Sequence, residues 1–270
     1  MPIAQINGIQ MYYEVQGQGH PLVLIHGLSA ASTSRASQVS EFSRSYQVVT
    51  MDLRGHGQSD KPEMAYSIDL FARDVVALMD YLGIEQAHVL GASMGGMVAQ
   101  QLALDYPQRV KRLVLADSMS HLDKSLRMKM ENGAFIAERL GMEAQARNAI
   151  PWAFSPSYIN EHYAEIMAIV GQIAGLPVQS YLQSVEALLA YDVRARLGNI
   201  AAPTLVIAGD TDILVPRQYA DVLCQSIPDC HLVVIEGGSH VVNIEQPEAF
   251  NACVLHFLSL CATAWIDNKQ

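Results

Sequence analysis

Apolar residues recur along this chain with two different periods, and the periods alternate. Ile9 to Val15 switches between apolar and polar side chains, as a half-buried strand does. Leu22-Val23-Leu24-Ile25 is a continuous apolar run, and Gly17 to Pro21 supplies the turn before it. Tyr46 to Met51 reads as another strand. Leu70 to Leu82 changes period: Phe71, Val75, Leu78, Met79 and Leu82 fall at helical spacing, and Gly83 ends the helix. Ala87-His88-Val89-Leu90 is a short buried strand, Met94 to Tyr106 a helix closed by Pro107, and Arg112 to Ala116 a further strand. Strands alternating with helices predict a mostly parallel, doubly wound α/β sheet.

The rhythm then breaks. From Ser118 to about Leu197 there is no clear strand, only helical patterns punctuated by Pro151, Pro156 and Pro177. Strand pattern resumes at Pro203 to Ala208 and again at His231 to Ile235. A last helix is expected from Pro247 to Leu260, with Phe250, Cys253, Val254, Phe257 and Leu258 on one face. The expected organisation is one α/β core, residues 1–117 and 198–270, interrupted by a helical insertion at 118–197. We read the insertion as a lid over the carboxyl edge of the sheet, where open α/β sheets bind ligands.

Composition narrows the partners. The chain has 270 residues, half of them hydrophobic, enough for one large core with an inserted lid. Its formal net charge of -10, with no Lys/Arg-rich block, argues against nucleic acid or an anionic membrane surface as a partner. Met1 to Gly8 lacks the basic and apolar regions of a signal peptide, and no apolar stretch reaches about 18 residues. A cytoplasmic location, as monomer or homodimer, is the expectation. Four cysteines (Cys224, Cys230, Cys253, Cys261) show no C-x-x-C spacing, so no zinc or other metal is expected. Cys253, on an apolar helix face, is expected to be a buried free thiol.

The chemistry is concentrated in Gly91-Ala92-Ser93-Met94-Gly95, a G-x-S-x-G between a strand and a helix. In that context the serine is a nucleophile on a strained turn, and the flanking glycines let strand and helix approach. A serine hydroxyl needs a base. His240, in Gly237-Gly238-Ser239-His240 after a strand and before the last helix, is best placed for it. His26 and His56 sit in glycine-flanked loops and read as structural hydrogen-bonding residues, and His256 as a packing residue. The imidazole in turn needs a carboxylate. Asp212 follows the Pro203 to Ala208 strand, and the order Ser93, Asp212, His240 suits one fold. Asp210 reads as a turn cap, and Asp117, ending the preceding strand, is the competitor. An oxyanion needs two donors: the backbone N–H of Met94, after the nucleophile, and that of Leu28, after His26-Gly27.

These motifs resemble the α/β-hydrolase superfamily over essentially the whole chain. His26-Gly27, Asp52-Leu53-Arg54-Gly55-His56-Gly57-Gln58-Ser59-Asp60, Gly91 to Gly96, Gly209-Asp210-Thr211-Asp212 and Gly238-Ser239-His240 appear in order. The resemblance implies an eight-stranded sheet with a helical lid after the sixth strand. Tyr66-Ser67-Ile68, Gly91 to Gln101, Asn243 to Glu248 and Pro151 to Pro156 look most like 3-oxoadipate enol-lactonases and their esterase relatives. That group usually carries tryptophan about eight residues after His-Gly. Here the stretch is Leu28-Ser29-Ala30-Ala31-Ser32-Thr33-Ser34-Arg35. Arg35 either binds a substrate carboxylate or sits on the surface, and the surface is the expectation.

The resulting expectation is a cofactor-free serine hydrolase acting on a small-molecule carboxylic ester or lactone. A C–C bond hydrolase resembling those of meta-cleavage products is the alternative on the same triad, and a ligand receptor on a hydrolase scaffold is a third reading. Trp152, Phe154, Met119 and Tyr181, with His121 and Tyr158, are candidates to line the pocket, against the plainer role of lid core. An apolar pocket under an acidic surface leans towards a neutral substrate.

Overall fold

The computed structural model describes residues 2–260. Eight strands make one sheet: β1 (Ile3–Ile6), β2 (Ile9–Gln16), β3 (His20–Ile25), β4 (Tyr46–Met51), β5 (Ala87–Ala92), β6 (Val110–Ala116), β7 (Thr204–Gly209) and β8 (Cys230–Ile235). The helices, in chain order, are α1 (Ala36–Phe42), α2 (Ile68–Tyr81), α3 (Met94–Asp105), α4 (Lys124–Leu140), α5 (Met142–Ala153), α6 (Pro156–Glu161), α7 (Tyr163–Ala174), α8 (Val178–Leu189), α9 (Gln218–Ser226), α10 (Val242–Glu245) and α11 (Pro247–Ser259). The spatial strand order is β1-β2-β4-β3-β5-β6-β7-β8. β1 and β2 are antiparallel to their neighbours, and the rest of the sheet is parallel.

The two-residue period of the strands sorts the core into two layers. Val23, Ile25, Val89, Leu113 and Val206 pack on one face with Phe71 and Val75 of α2, Val98 and Leu102 of α3, and Leu223 of α9. Leu22, Leu24, Leu90, Val114 and Leu205 turn to the other face, against Phe42 of α1 and Phe250, Val254 and Phe257 of α11. A sheet covered on both faces needs apolar residues at every strand position, which is why the central strands read as continuous runs. It also leaves only the strand ends open to a ligand.

The hairpin β1–β2 was not read from the pattern. β1 has four residues, too few for periodicity, but Asn7-Gly8 at its turn carries φ of 41° and 77°. That pair is a strong hairpin signal. α1 was also missed, because only Gln38 and Phe42 of its seven residues are buried. α2 starts two residues before the expected Leu70, because Ser67 caps it by accepting a hydrogen bond from Leu70 N–H at 3.0 Å.

The loop after β4 is anchored by a buried ion pair. Arg54 Nε and Nη2 donate to the two oxygens of Asp74 on α2, both at 2.8 Å, and both side chains are almost fully enclosed. Asn7 Nδ2 also donates to Asp74 Oδ1, at 3.0 Å. Removing one partner strands a buried charge. Asp74→Ala is therefore expected to lower unfolding free energy by about 3–5 kcal/mol, read by urea denaturation. A loss below about 1 kcal/mol would show that the pair behaves like an exposed one.

Five helices, α4 to α8, lie between β6 and β7. They carry their own apolar clusters: Ala137, Met142, Leu176, Tyr181 and Val185 in one, Ala146, Ile150, Phe154, Ile166 and Val170 in the other. The first reaches Leu28 and the second reaches Val241 and Ile244, so the insertion rests on loops at the carboxyl edge of the sheet. Pro156 opens α6 and Pro177 precedes α8, as punctuation should. Pro151 does not break its helix but lies inside the last turn of α5. So near a helix end, proline removes one hydrogen bond without forcing a stop.

Among the described residues no helix is long and apolar enough to cross a membrane, and no group of three His, Cys, Asp or Glu side chains could hold a metal ion. Cys224 and Cys230 form a disulfide joining α9 to β8, a pairing that spacing alone did not suggest. Cys253 is a free, half-buried thiol, pushed up to about 11 by burial. Cys261 lies outside the described residues.

Candidate active site

Ser93 is the single residue between β5 and α3. Its φ of 53° and ψ of -121° are strained for a residue with a Cβ. Two glycines make the turn feasible. A Cβ on Gly91 would collide with the Gly95 carbonyl oxygen, and one on Gly95 with the carbonyl oxygens of Ile25 and His26. Ser93 N–H donates to Ala116 O at 2.9 Å, and Ser118 Oγ donates to Ser93 O at 2.9 Å. The side chain is thereby held at the carboxyl end of β5, half-buried.

His240 comes from the loop between β8 and α10. Its Nε2 lies 3.0 Å from Ser93 Oγ and its Nδ1 2.9 Å from Asp212 Oδ2. A carboxylate only accepts, so Nδ1 carries the proton and Nε2 accepts from the serine hydroxyl. Asp212 Oδ1 accepts from the N–H groups of Leu214 and Val215, both at 2.8 Å, which fixes the carboxylate's orientation. Both loops are also tied together directly. Thr211 N–H and Oγ1 donate to Gly238 O, at 3.0 and 2.7 Å, and Gly237 N–H donates to Asp210 Oδ1 at 2.8 Å. Asp210 thus acts on the turn and not on the imidazole.

Burial alone would push the His240 imidazole down. The charge of Asp212 and the hydrogen bond to it outweigh burial, and the net direction is up. His26 and His56 behave differently. Burial pushes them down to about 4 and about 3, so both are neutral. His26 Nε2 accepts from Leu53 N–H at 2.9 Å, and His26 Nδ1 faces Gly27 O at 2.8 Å. Both histidines are fully buried structural groups.

Asp117 does not touch the imidazole. Its Oδ1 accepts from Gly209 N–H at 3.2 Å and its Oδ2 from Val242 N–H at 3.3 Å. It therefore staples the loop that leads to Asp212 to the segment just after His240. Burial, reinforced by the charge of Asp212, pushes its carboxyl well above the usual carboxylate range.

Gly27 lies directly against the serine: a Cβ there would stand 3.3 Å from Ser93 Cβ. Ala30 N–H donates to Gly27 O at 3.3 Å, and Ser29 has φ of 61°, so residues 27–30 form a tight turn. Leu28 follows Gly27 in this turn, half-buried, and Met94 is fully buried at the start of α3.

The remaining candidates divide. Met119 is 2 % exposed in the main core. Phe154 is buried in the insertion's second cluster, stacked on Tyr158. Tyr181 is buried in the first cluster and accepts from Gln145 Nε2 at 2.8 Å. Trp152 is 40 % exposed, with Lys129 Nζ 4.8 Å from its ring centroid. Lys129 also donates to Ile213 O at 2.6 Å, linking α4 to the loop that carries Asp212.

Glu245 was missed as a site residue. Its Oε2 accepts from Ser239 N–H at 3.2 Å and its Oε1 from Ser155 N–H at 2.7 Å, clamping the His240 loop to the insertion. No local pattern distinguishes such a bridging glutamate from a first-turn glutamate. Arg35 corrects an expectation. It is 4 % exposed, not a surface residue. Its short turn is held inward by Asp52, which accepts from Ser32 N–H at 2.7 Å, and by Asn243 Nδ2, which donates to Ser34 O at 3.5 Å.

Known proteins share this arrangement of chain. A family model described as the alpha/beta hydrolase fold matches residues 20–247. RutD of Azorhizobium caulinodans, whose name assigns it provisionally to carbamate hydrolysis, is 32 % identical over 259 residues, covering 95 % of this chain and 98 % of that one. The 3-oxoadipate enol-lactonase 2 of Acinetobacter baylyi is 32 % identical over 248 residues, covering 91 % and 92 %. The crystal structure of the enol-lactonase from Burkholderia xenovorans LB400 superposes with a TM-score of 0.92 at 30 % identity, covering 96 % of this chain and 100 % of that one.

Proposed function

The chain belongs to the α/β-hydrolase family, and from that premise we propose that it is a serine hydrolase cleaving a carboxylic ester or lactone through an acyl-enzyme. The observation that carries the reading is the unbroken hydrogen-bonded chain Ser93 Oγ, His240, Asp212 at the edge of the sheet. Ser93 Oγ attacks the carbonyl carbon while His240 Nε2 takes its proton. The imidazolium is stabilised by Asp212 and gives that proton to the leaving oxygen. The N–H groups of Leu28 and Met94 receive the oxyanion. Water, deprotonated by His240, then attacks the acyl-enzyme and releases the acid and Ser93. The helices of 118–197 act as a lid that selects the acyl group.

Protonated His240 cannot accept the serine proton, so kcat/KM falls as pH drops through its pKa. Because the Asp212 partnership raises that pKa, the acidic limb is expected above the ordinary histidine value of 6.5. A limb below that value would mean that His240 titrates without its partner.

Substrate class is tested by initial rates on a short-chain p-nitrophenyl ester, an enol-lactone, an aryl carbamate and a vinylogous 1,5-diketone. Turnover of the ester or lactone is expected. The carbamate is on the panel because a relative's name points to it, and its carbonyl invites the same attack. Turnover of the diketone alone would replace the ester reading by C–C bond hydrolysis.

A further inference from the structure

Arg35 stands at the position where the chain departs from the tryptophan expected after His26-Gly27, and the fold encloses it. It ends the short turn Ser32–Arg35 and is 4 % exposed. Its Nε is fully enclosed and donates to nothing, and among the described residues no hydrogen bond or ion pair engages the guanidinium. Burial pushes it down to about 10, opposed by the charge of Asp117, so it is a cation at neutral pH. An unpaired buried cation is costly unless something supplies the counter-charge.

The nearby acids do not supply it. Asp117 forms no hydrogen bond or ion pair with Arg35: its charge is felt there, but its two oxygens accept from the N–H groups of Gly209 and Val242. Asp52, the acid bonded to Arg35's own turn, spends its oxygens on the N–H groups of Ser32 and Gln58.

The turn that carries Arg35 lies beside the segments that carry Ser93 and His240. The turn follows the Gly27 segment that packs on Ser93, and Ser34 O accepts from Asn243, three residues beyond His240. The charge of Arg35 is felt at His26, directly after β3, and Arg35 feels Asp117, directly after β6. The strand lying between β3 and β6 is β5, which Ser93 directly follows. A guanidinium with no bonded partner therefore lies near the edge of the sheet that carries the serine.

We propose that Arg35 is the anion-recognition residue of this site, and that the substrate is an ester or lactone carrying a carboxylate, which the guanidinium fork binds. The proposal deepens the ester or lactone reading and rests on it for the role of Ser93. It reverses the lean towards a neutral substrate that composition suggests. A planar fork matches a carboxylate with two parallel hydrogen bonds, which tryptophan cannot offer.

The test is binding, read by calorimetry on the full chain. Succinate, glutarate and adipate are each compared with the neutral diamide of equal length: succinamide, glutaramide and adipamide. At least one diacid is expected to bind about 10-fold or more tighter than its diamide, and Arg35→Met to erase that preference. Arg35→Gln serves if the methionine variant fails to fold. In kinetics, Arg35→Met is expected to cut the ratio of kcat/KM for mono-p-nitrophenyl glutarate to that for p-nitrophenyl pentanoate about 10–100-fold. No diacid preference in the parent protein, or a preference that survives loss of the guanidinium, overturns the proposal. Diacid preference without turnover of any ester would sustain Arg35's role and sink the ester reading. Ester turnover without diacid preference does the reverse.

Discussion

Ser93→Ala is expected to lower kcat/KM for an ester substrate by about 10⁵-fold or more, with the fold unchanged. The size follows from the chemistry: without Oγ there is no acyl-enzyme, and only the oxyanion donors and binding remain. The substitution is a clean one. Alanine keeps the Cβ, so the backbone strain at φ 53° is the same before and after. Ser93 Oγ bonds to His240 Nε2, and the contacts that position the residue run through its backbone to Ala116 and Ser118. Thermal unfolding should therefore move by only a few degrees. Retention of more than a few percent of the rate would remove Ser93 from the chemistry.

The next largest effect is expected at Asp212. Asp212→Asn should cost about 10⁴-fold in kcat, by analogy with other triads. Asp212 Oδ1 accepts from Leu214 and Val215 N–H at 2.8 Å, so an amide oxygen will hold that place and turn its NH2 towards His240. An NH2 facing Nδ1 demands an acceptor there, so the ring takes the other tautomer and Nε2 carries the proton. It can then no longer take one from Ser93. The acidic limb of the pH profile should also move down, because the charge that raises the His240 pKa is gone. Asp117→Asn is the comparison. Asp117 holds Gly209 and Val242 and not the ring, so its loss should act through loop position, with a smaller drop in rate. A near-normal rate in Asp212→Asn would move the acid role to Asp117.

Much of this was legible in the chain because it depends on local patterns. A sheet covered on both faces forces apolar runs, and those runs, with the alternation over Ile9 to Val15, located seven strands within a residue or two of their ends. The turn at Ser93 demands glycine at fixed offsets for steric reasons, so it leaves a mark in five residues. Asp212 and His240 stood out because each follows a strand, and strands of a parallel sheet end on one edge. What stayed illegible depends on contacts between distant segments. Glu245 bridges Ser155 and Ser239 across 90 and 6 residues of sequence, and no spacing announces it. Arg35 was expected outside because its polar stretch carries no period. Its turn is bonded to Asp52 and Asn243, both distant in sequence. Phe154 and Tyr181 sit in the insertion's own clusters, as aromatic residues at helical spacing commonly do, while Trp152 keeps an exposed face.

The role of Ser93 as nucleophile is tested most directly by treating the protein with a fluorophosphonate and following residual ester hydrolysis alongside peptide mass mapping. One phosphonyl group per chain is expected, carried by Ser93, with activity falling in proportion to its occupancy. Full activity in protein phosphonylated at Ser93, or inactivation with the label on another residue, would contradict that role.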